Sequence, residues 1–166
     1  MKQIQPIEER TIVSKPLATP NYQGALDRTA EHYQLMIKFV KQQMIENIDY
    51  GTIPGTKKPT LFKAGAEKLC RLFNLRPTFE IVDSIVNFEK PLFHYHYRCS
   101  LYRCGELVAN ADGVCNSYEA RYKKQQYKTF DLVNTICKMS QKRALVASVL
   151  ASCGASEFFT QDLENN

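Results

Sequence analysis

The stretch FDLVNTICKMSQKRALVASVLASC, from Phe130 to Cys153, determines how we expect this chain to fold. Its apolar residues recur every three to four positions, the period of an α-helix with one buried face. Alanines and serines keep the second half of the helix slim enough to pack closely on a sheet or a neighbouring subunit. Thr129 is the predicted N-cap, Asp131 suits the first turn, and Gly154 suits the C′ position that ends the helix.

Three strand candidates precede this helix. They are dense in aromatic and β-branched residues, and they span Thr78–Phe88, Leu92–Tyr102 and Glu106–Asn116. Cys104-Gly105 is the predicted hairpin turn between the second and third strands. A three-stranded meander is stable only when one face is covered, so we expect the long helix to pack against it.

The N-terminal part of the chain is predicted to be helical. A helix runs from about Gly24 to Asn47, and a second, shorter helix runs from about Ala64 to Phe73. Between them lie a turn-rich loop over residues 52–59 and a short strand over residues 60–62. The first helix carries an apolar stripe at helical spacing, formed by Leu26, Ala30, Tyr33, Ile37, Val40, Met44 and Ile48.

These elements predict an α+β fold. An N-terminal helix and a short helix come first, and a three-stranded antiparallel β-meander packed by a long C-terminal helix follows. The predicted organisation is a flexible arm over residues 1–23, one α+β domain over residues 24–155, and an acidic tail over residues 156–166. A chain of 166 residues is long enough for one such domain with a real core.

Composition favours a cytoplasmic protein. Met1–Lys15 lacks the apolar segment of a secretory signal, and the longest apolar run, Ala144–Ala151, is too short to cross a membrane. The six cysteines lack the density of a disulfide framework, so we interpret them as reduced, partly buried small residues.

Positive charge is concentrated in two segments. Residues 56–76 hold six cations and one acid, residues 118–143 hold seven cations and two acids, and the remainder of the +5 chain sums to −5. Tyrosines interleave with the cations after Tyr118, a pattern typical of single-stranded nucleic-acid binding, in which rings stack on bases and cations contact phosphates. Two solvated surfaces without a partner are the alternative interpretation of this charge. The tyrosines could equally pack between sheet and helix.

The predicted strand-binding residues come from both basic segments. They are Lys57, Lys58, Lys63, Arg121, Tyr122, Lys123, Lys124, Tyr127, Lys128, Lys138, Lys142 and Arg143.

The sequence contains only weak matches to nucleotide-binding, metal-binding and catalytic motifs. Gly51–Lys58 superficially resembles a phosphate loop but has the wrong glycine spacing and no preceding strand. His94 and His96 alternate with Cys99 across a predicted strand, so they should not share a zinc ion. The acids are scattered, which leaves a metal-dependent nuclease unsupported. We therefore predict no catalytic residues, no metal, no cofactor and no enzymatic activity.

Two further stretches and the long helix resemble a known family. The run from Lys138 to Gly154, with its Lys142-Arg143-Ala-Leu block, resembles single-strand annealing proteins of the Rad-fifty-two type, which are related in role to Redβ and Erf. Asp49-Tyr-Gly-Thr-Ile-Pro-Gly and Leu61-Phe-Lys-Ala-Gly-Ala-Glu-Lys-Leu69 resemble phage and bacterial members, and so does the end of the third strand, Asp112-Gly-Val. The resemblance covers about Ile48 to Leu163.

This resemblance implies ATP-independent binding of single-stranded DNA and annealing of complementary strands in recombination and repair. It implies an oligomeric ring or helical filament, with Lys142 and Arg143 in contact with the strand. A single-strand-binding protein or exonuclease of the host or phage would be a further partner, and no membrane is involved. The alternatives are an accessory protein that binds single-stranded DNA or RNA without annealing it, or a metal-dependent nuclease.

Overall fold

The computed structural model describes residues 20–123 and 131–161. The chain forms two compact units, Met1–Ile37 and Lys38–Asn166, which divide within the first helix. The predicted arm over residues 1–19 and the predicted N-cap Thr129 lie outside the described residues.

Helix α1 spans Tyr22–Gln43, close to its predicted bounds. Asn21 precedes the helix, and its side-chain oxygen accepts a hydrogen bond from the Gly24 amide at 2.9 Å, as an N-cap residue does. The buried residue within α1 is Met36, whereas Leu26 and Tyr33 of the predicted stripe are 61% and 38% exposed. Periodicity identified residues that share a helix face, but it did not identify the face that is buried.

A small hairpin follows α1, formed by β1 (Tyr50–Gly51) and β2 (Thr60–Leu61) in antiparallel register. Strand β2 confirms the predicted short strand, and the segment that resembles a phosphate loop is the connection within this hairpin. The predicted second helix is confirmed as α2, which spans Lys63–Leu72 and buries Ala66, Leu69 and Cys70.

A partly buried ion pair ties the residue before β1 to α2. The Asp49 carboxylate is fully buried and lies 2.5 Å from the Lys68 ammonium. The same carboxylate oxygen accepts a hydrogen bond from the Ile45 amide at 2.7 Å. The motif that begins at Asp49 therefore has a structural role, and the Lys68 side chain turns towards Asp49.

The predicted antiparallel meander is confirmed. Its strands are β3 (Arg76–Asn87), β4 (Leu92–Arg103) and β5 (Glu106–Asn116), arranged in the order β3-β4-β5. Cys104 and Gly105 have φ values of 52° and 87°, so two consecutive left-handed residues close the predicted hairpin.

The long C-terminal helix packs on the sheet, as predicted. A short helix α3 (Ala120–Lys123) precedes it, and the long helix, α4, spans Leu132–Ser152 against β4 and β5. Asp131 lies just before α4 and makes no side-chain capping hydrogen bond. Gly154 follows the helix with a φ of 61°, which confirms its predicted left-handed position.

Helix α4 approaches the sheet so closely that its backbone contacts the backbone of β5. A Cβ atom on Gly113 of β5 would collide with the backbone of Ser140 and Ala144. The Ser140 hydroxyl lies 2.6 Å from the Gly113 carbonyl oxygen, to which it donates, and it accepts from the Tyr97 amide at 3.2 Å. Small residues on α4 thus permit the contact that the sequence predicted.

The first part of the predicted acidic tail is docked on the hairpin. After a short 3-10 helix, Ala155–Glu157, the Phe159 side chain is 2% exposed and its ring lies 5.4 Å from that of Tyr50. Thr160 pairs with Thr60 in a parallel bridge, and Leu61 donates its amide to the Thr160 carbonyl at 3.1 Å. At Thr160 the chain therefore runs alongside β2 in the same direction.

No helix within the described ranges, 20–123 and 131–161, has both the length and the apolar character needed to cross a bilayer. None of the six cysteines, all of which lie in the described residues, forms a disulfide, and four of them are buried. Burial raises the pKa of the Cys70 thiol to about 12, so this group stays protonated and behaves as a small apolar side chain.

Candidate nucleic-acid interface

A cleft of about 700 Å³ separates α4 from the β1–β2 hairpin. Three cations line one side, Arg121 on α3 and Lys142 and Arg143 on α4. The opposite side is formed by the hairpin and the start of α2, with Ile53, Pro54, Thr56, Thr60, Leu61 and Phe62. The two basic segments of the sequence therefore meet at this cleft.

Lys142 is the half-buried cation at the centre of this cleft. Its ammonium lies 5.7 Å from the centre of the Phe62 ring, within the range of a cation–π contact. Burial lowers the pKa of the Lys142 ammonium, and the positive charges of Arg121 and Arg143 lower it further. Among the described residues, no carboxylate forms an ion pair with Lys142. An anion in the cleft would relieve this unbalanced charge.

Arg143 has a different role from its neighbour. Its guanidinium donates to both carboxylate oxygens of Glu119, at 2.6 and 2.8 Å, and also to the Val114 carbonyl oxygen. Hydrogen bonding to Glu119 raises the pKa of Arg143 despite its burial. Arg143 therefore fixes the end of β5 and the approach to α3, and it contributes less uncompensated charge to the cleft than Lys142.

Replacing Glu119 by Gln should make stability less sensitive to acid. Burial alone would raise the pKa of Glu119, but the hydrogen bonds and charge of Arg143 outweigh it and hold the pKa below the ordinary 4.5. The unfolded glutamate binds its proton at higher pH, so this stabilisation is present above about pH 4.5 and is lost as pH falls through the lower folded pKa.

Thermal unfolding from about pH 7 to pH 3 measures this difference. The stability advantage of the wild type over Glu119→Gln should shrink at the acid end. Exposed Glu106→Gln removes the same charge and serves as the control. If the stability of the wild type and of Glu119→Gln changed in parallel with pH, the ion pair of Glu119 with Arg143 would contribute no stability that depends on the protonation of Glu119.

Tyr122 was predicted to stack on bases, and the structure places it in the core instead. It is 6% exposed and belongs to a buried cluster with Phe93, Cys115, Leu132 and Ile136. Neither ring face is free for a base, so we correct its assignment to the packing role that the sequence left open. Arg121 remains on the surface, 5.8 Å above the Tyr122 ring.

A second pocket of about 450 Å³ adjoins the cleft across Lys142 and Met139. Lys63 and Lys138, both predicted strand-binding residues, line it together with Phe79 of β3. Lys63 also forms an exposed ion pair with Glu67 at 3.2 Å, an i,i+4 contact on the surface of α2. The predicted cations of α2 and α4 thus lie beside the same Lys142.

The other predicted residues lie elsewhere or outside the described chain. The Lys58 ammonium donates to the Ser156 carbonyl oxygen at 2.9 Å and lines a separate pocket beside Phe159. Lys57 is exposed on the hairpin loop. The side chain of Lys123, and the whole of Lys124, Tyr127 and Lys128, lie outside the described residues.

The histidines considered for zinc lie on the sheet face opposite α4. His94 is 3.9 Å from Asp83 on β3, and His96 is 3.0 Å from Asp112 on β5. The His96 contact is close but not aligned as a hydrogen bond. Cys99 is fully buried on the other face, in agreement with the predicted alternation. In residues 20–123 and 131–161, no three His, Cys, Asp or Glu side chains converge as a metal site would require.

Three residues at the cleft were missed by sequence reasoning. Phe62 lies under the Lys142 ammonium, Glu119 holds Arg143, and the Gln161 amide donates to the Arg143 carbonyl oxygen at 3.0 Å. Each depends on contacts between segments distant in sequence, so periodicity and composition carry no signal for them.

The chain matches no protein-family model, and a search of curated proteins finds no relative.

Proposed function

We propose that this protein binds single-stranded DNA in the cationic cleft and anneals complementary strands without ATP, as an oligomer, in the cytoplasm of a bacterial or phage-infected cell. The observation that carries the proposal is Lys142, a half-buried ammonium that lines the cleft with Arg121 and Arg143 and has no carboxylate partner among the described residues. The β-β-β-α arrangement of the sheet and α4 supports it, because the resembled annealing proteins share that element order.

Phosphate groups suit the chemistry of this cleft. A strand that follows it would meet Arg121 and Lys142 on one side and the uncharged rim of Ile53 and Pro54 on the other. Contacts to phosphates are independent of base identity, so sequence preference should be weak. Binding releases counterions from the strand, so affinity should fall steeply as salt is raised.

In this mechanism, annealing makes and breaks no covalent bond. A strand held by its phosphates keeps its bases available, and ordering the strand in advance reduces the entropic cost of pairing with a complement. Several copies that hold one strand in register would extend this effect along its length. The proposed activity therefore depends on self-association as well as on the cleft.

Strand β3 supports self-association. It is an edge strand, and Phe79, Ile81 and Val86 are 41%, 52% and 44% exposed. These residues pair in register with buried residues of β4, so they extend the sheet face that α4 covers only over β4 and β5. Ile85, on the other face, is 45% exposed. A long apolar edge strand of this kind is a template for pairing with another chain, here a second copy.

Replacing Ile81 by Lys should dissociate the assembly. A lysine at the centre of β3 would place a charge in a surface that we propose is buried between copies, and desolvating that charge is costly. Light scattering should give a large mass for the wild type and a mass near that of one 19.1 kDa chain for the variant.

Ile48→Lys is the matched control, because Ile48 is 57% exposed and lies outside β3. It should retain the mass of the wild type. A wild type that is monomeric with and without DNA would contradict the oligomer, and an unchanged mass for Ile81→Lys would exclude β3 as its interface.

An annealing assay tests the function directly. Two complementary oligonucleotides, one of them labelled, are mixed with the protein without ATP over a series of salt concentrations. We expect faster duplex formation at low salt, with the acceleration lost as salt rises. Binding without acceleration would identify an accessory binding protein instead. Loss of the labelled strand on addition of magnesium or manganese would identify a nuclease.

A further inference from the structure

The pocket beside the cleft, about 450 Å³ in volume, combines apolar side chains with three ammonium groups. The apolar residues are Phe79, Met139 and Leu145, and the cations are Lys63, Lys138 and Lys142. A volume of this size lies within the range of pockets that bind small organic groups. The lining therefore suits a ligand that is both apolar and anionic.

Phe79 gives this pocket an aromatic ring that is open to solvent. It pairs in register with Cys99, which is fully buried on the sheet face that α4 covers. Residues opposite each other in neighbouring strands share a face, so the Phe79 side chain stands on that face beside α4, and it is 41% exposed. An exposed ring next to cations is the arrangement on which proteins stack the bases of a single strand.

The three lysines of the pocket can contact phosphates. Lys138 and Lys142 are four residues apart on one face of α4, and neither forms an ion pair with a carboxylate in the described part of the chain. Lys63 pairs with Glu67 at 3.2 Å, but both side chains are more than half exposed, so this pair contributes little stability.

The pocket and the cleft share part of their lining. Lys142 and Met139 line both of them. On the cleft side, the Lys142 ammonium lies 5.7 Å from the centre of the Phe62 ring, and the Arg121 guanidinium donates to the Met139 sulfur at 3.9 Å. A strand whose phosphates follow the cleft would therefore pass beside the pocket, and one of its bases would be close to Phe79.

We propose that the pocket binds one base of the strand, stacked on Phe79, while Lys63 and Lys138 contact the flanking phosphates. Every base has a flat π face, so this contact adds affinity without sequence preference. The inference rests on the proposed function, because the strand must occupy the cleft. It goes beyond that function, because phosphate contacts alone do not distinguish a strand with bases from one without them.

An oligonucleotide without bases separates stacking from phosphate binding. Oligothymidine is compared with an abasic strand of the same length, which keeps every phosphate. The wild type should bind oligothymidine about tenfold more tightly. Phe79→Leu keeps the apolar side chain but removes the ring, so it should lose this preference and bind the abasic strand as the wild type does. Phe79→Tyr keeps the ring and should retain the preference.

Tyr22→Leu is the matched control, because it removes a ring that is 75% exposed on α1 and outside the pocket. It should keep the tenfold preference, and an equal loss in this control would overturn the assignment to Phe79. Light scattering should give the same mass for Phe79→Leu and the wild type. Weaker binding of both strands together with a smaller mass would show that Phe79 acts through self-association and would also overturn the proposal.

The wild type distinguishes this inference from the function on which it rests. Equal affinity for oligothymidine and the abasic strand would overturn the base pocket, whereas binding in the cleft would stand. Failure to bind either strand would overturn both.

Photocrosslinking tests the position of the base directly. Oligothymidine that carries one iodouracil is bound to the protein and irradiated, and the linked peptides are identified by mass spectrometry. The link should form at Phe79 in the wild type and disappear from that position in Phe79→Leu. Links that form only at residues outside the pocket would contradict the proposal.

Discussion

Replacing Lys142 and Arg121 together by Ala is expected to weaken binding of a single-stranded oligonucleotide by about a hundredfold or more, with the fold retained. Both cations line the cleft, and neither forms an ion pair with a carboxylate in the part of the chain that the structure describes. Losing two phosphate contacts should also reduce the slope of log affinity against log salt by about 1.4. Fluorescence anisotropy of a labelled oligonucleotide over a salt series measures both quantities.

The matched control is Lys90→Ala with Arg103→Ala, which removes one lysine and one arginine from exposed positions at the ends of the sheet. It should leave affinity close to that of the wild type. Equal losses in the two double variants would indicate a general charge effect and remove the cleft from the proposal. Circular dichroism and thermal unfolding establish that each variant is folded before its binding is compared.

Arg143 is left out of this test because of its contacts. The resemblance pairs Lys142 with Arg143 as strand-contacting residues. In the structure, Arg143→Ala would leave the Glu119 carboxylate, with a side chain only 22% exposed, without its cation. It would also free the Val114 carbonyl oxygen. Loss of binding could then result from a displaced β5 end, whereas Lys142 and Arg121 can be removed without that effect.

The order of elements could be predicted from the sequence because it depends on local patterns. Each strand is identified by the residues of one segment, 78–88, 92–102 or 106–116, and the long helix by the helical period of residues 130–153. The turn is identified by the glycine of Cys104-Gly105, a residue type that two-residue hairpin turns favour. The structure confirms all of these elements, with bounds shifted by a few residues. The two-residue strand β1 was missed, because a strand so short has no detectable alternation.

The cleft could be predicted only in part. Charge clustering indicated that residues 56–76 and 118–143 act together, but it could not separate Lys142, which has no carboxylate partner in the described residues, from Lys58, which donates to Ser156. Aromatic interleaving suggested stacking for Tyr122, yet the ring is buried. A tyrosine beside cations has the same sequence signature whether it packs inward or stays on the surface, and only contacts with distant segments decide between them.

Gly113→Ala is expected to cause the largest loss of stability of any single methyl group added to the sheet. The new Cβ would meet the Ser140 carbonyl oxygen and the Ala144 amide nitrogen, and both belong to the backbone of α4 and cannot rotate away. Relief therefore requires moving the helix off β5, which would also stretch the Ser140 hydrogen bonds to Gly113 and Tyr97. Overpacking of a core costs up to about 3 kcal/mol of folding stability. We expect this upper value here, because the clashing atoms belong to the backbone.

Thermal unfolding should therefore show a Tm lowered by roughly 6–12 °C for Gly113→Ala. Gly24→Ala is the matched control, because its Cβ would meet only the Asn21 side chain, which can move. Alanine also favours the helix at that position, so the control should lie within about 1 kcal/mol of the wild type. Equal stability of Gly113→Ala and the wild type would mean that α4 and the sheet are not in backbone contact.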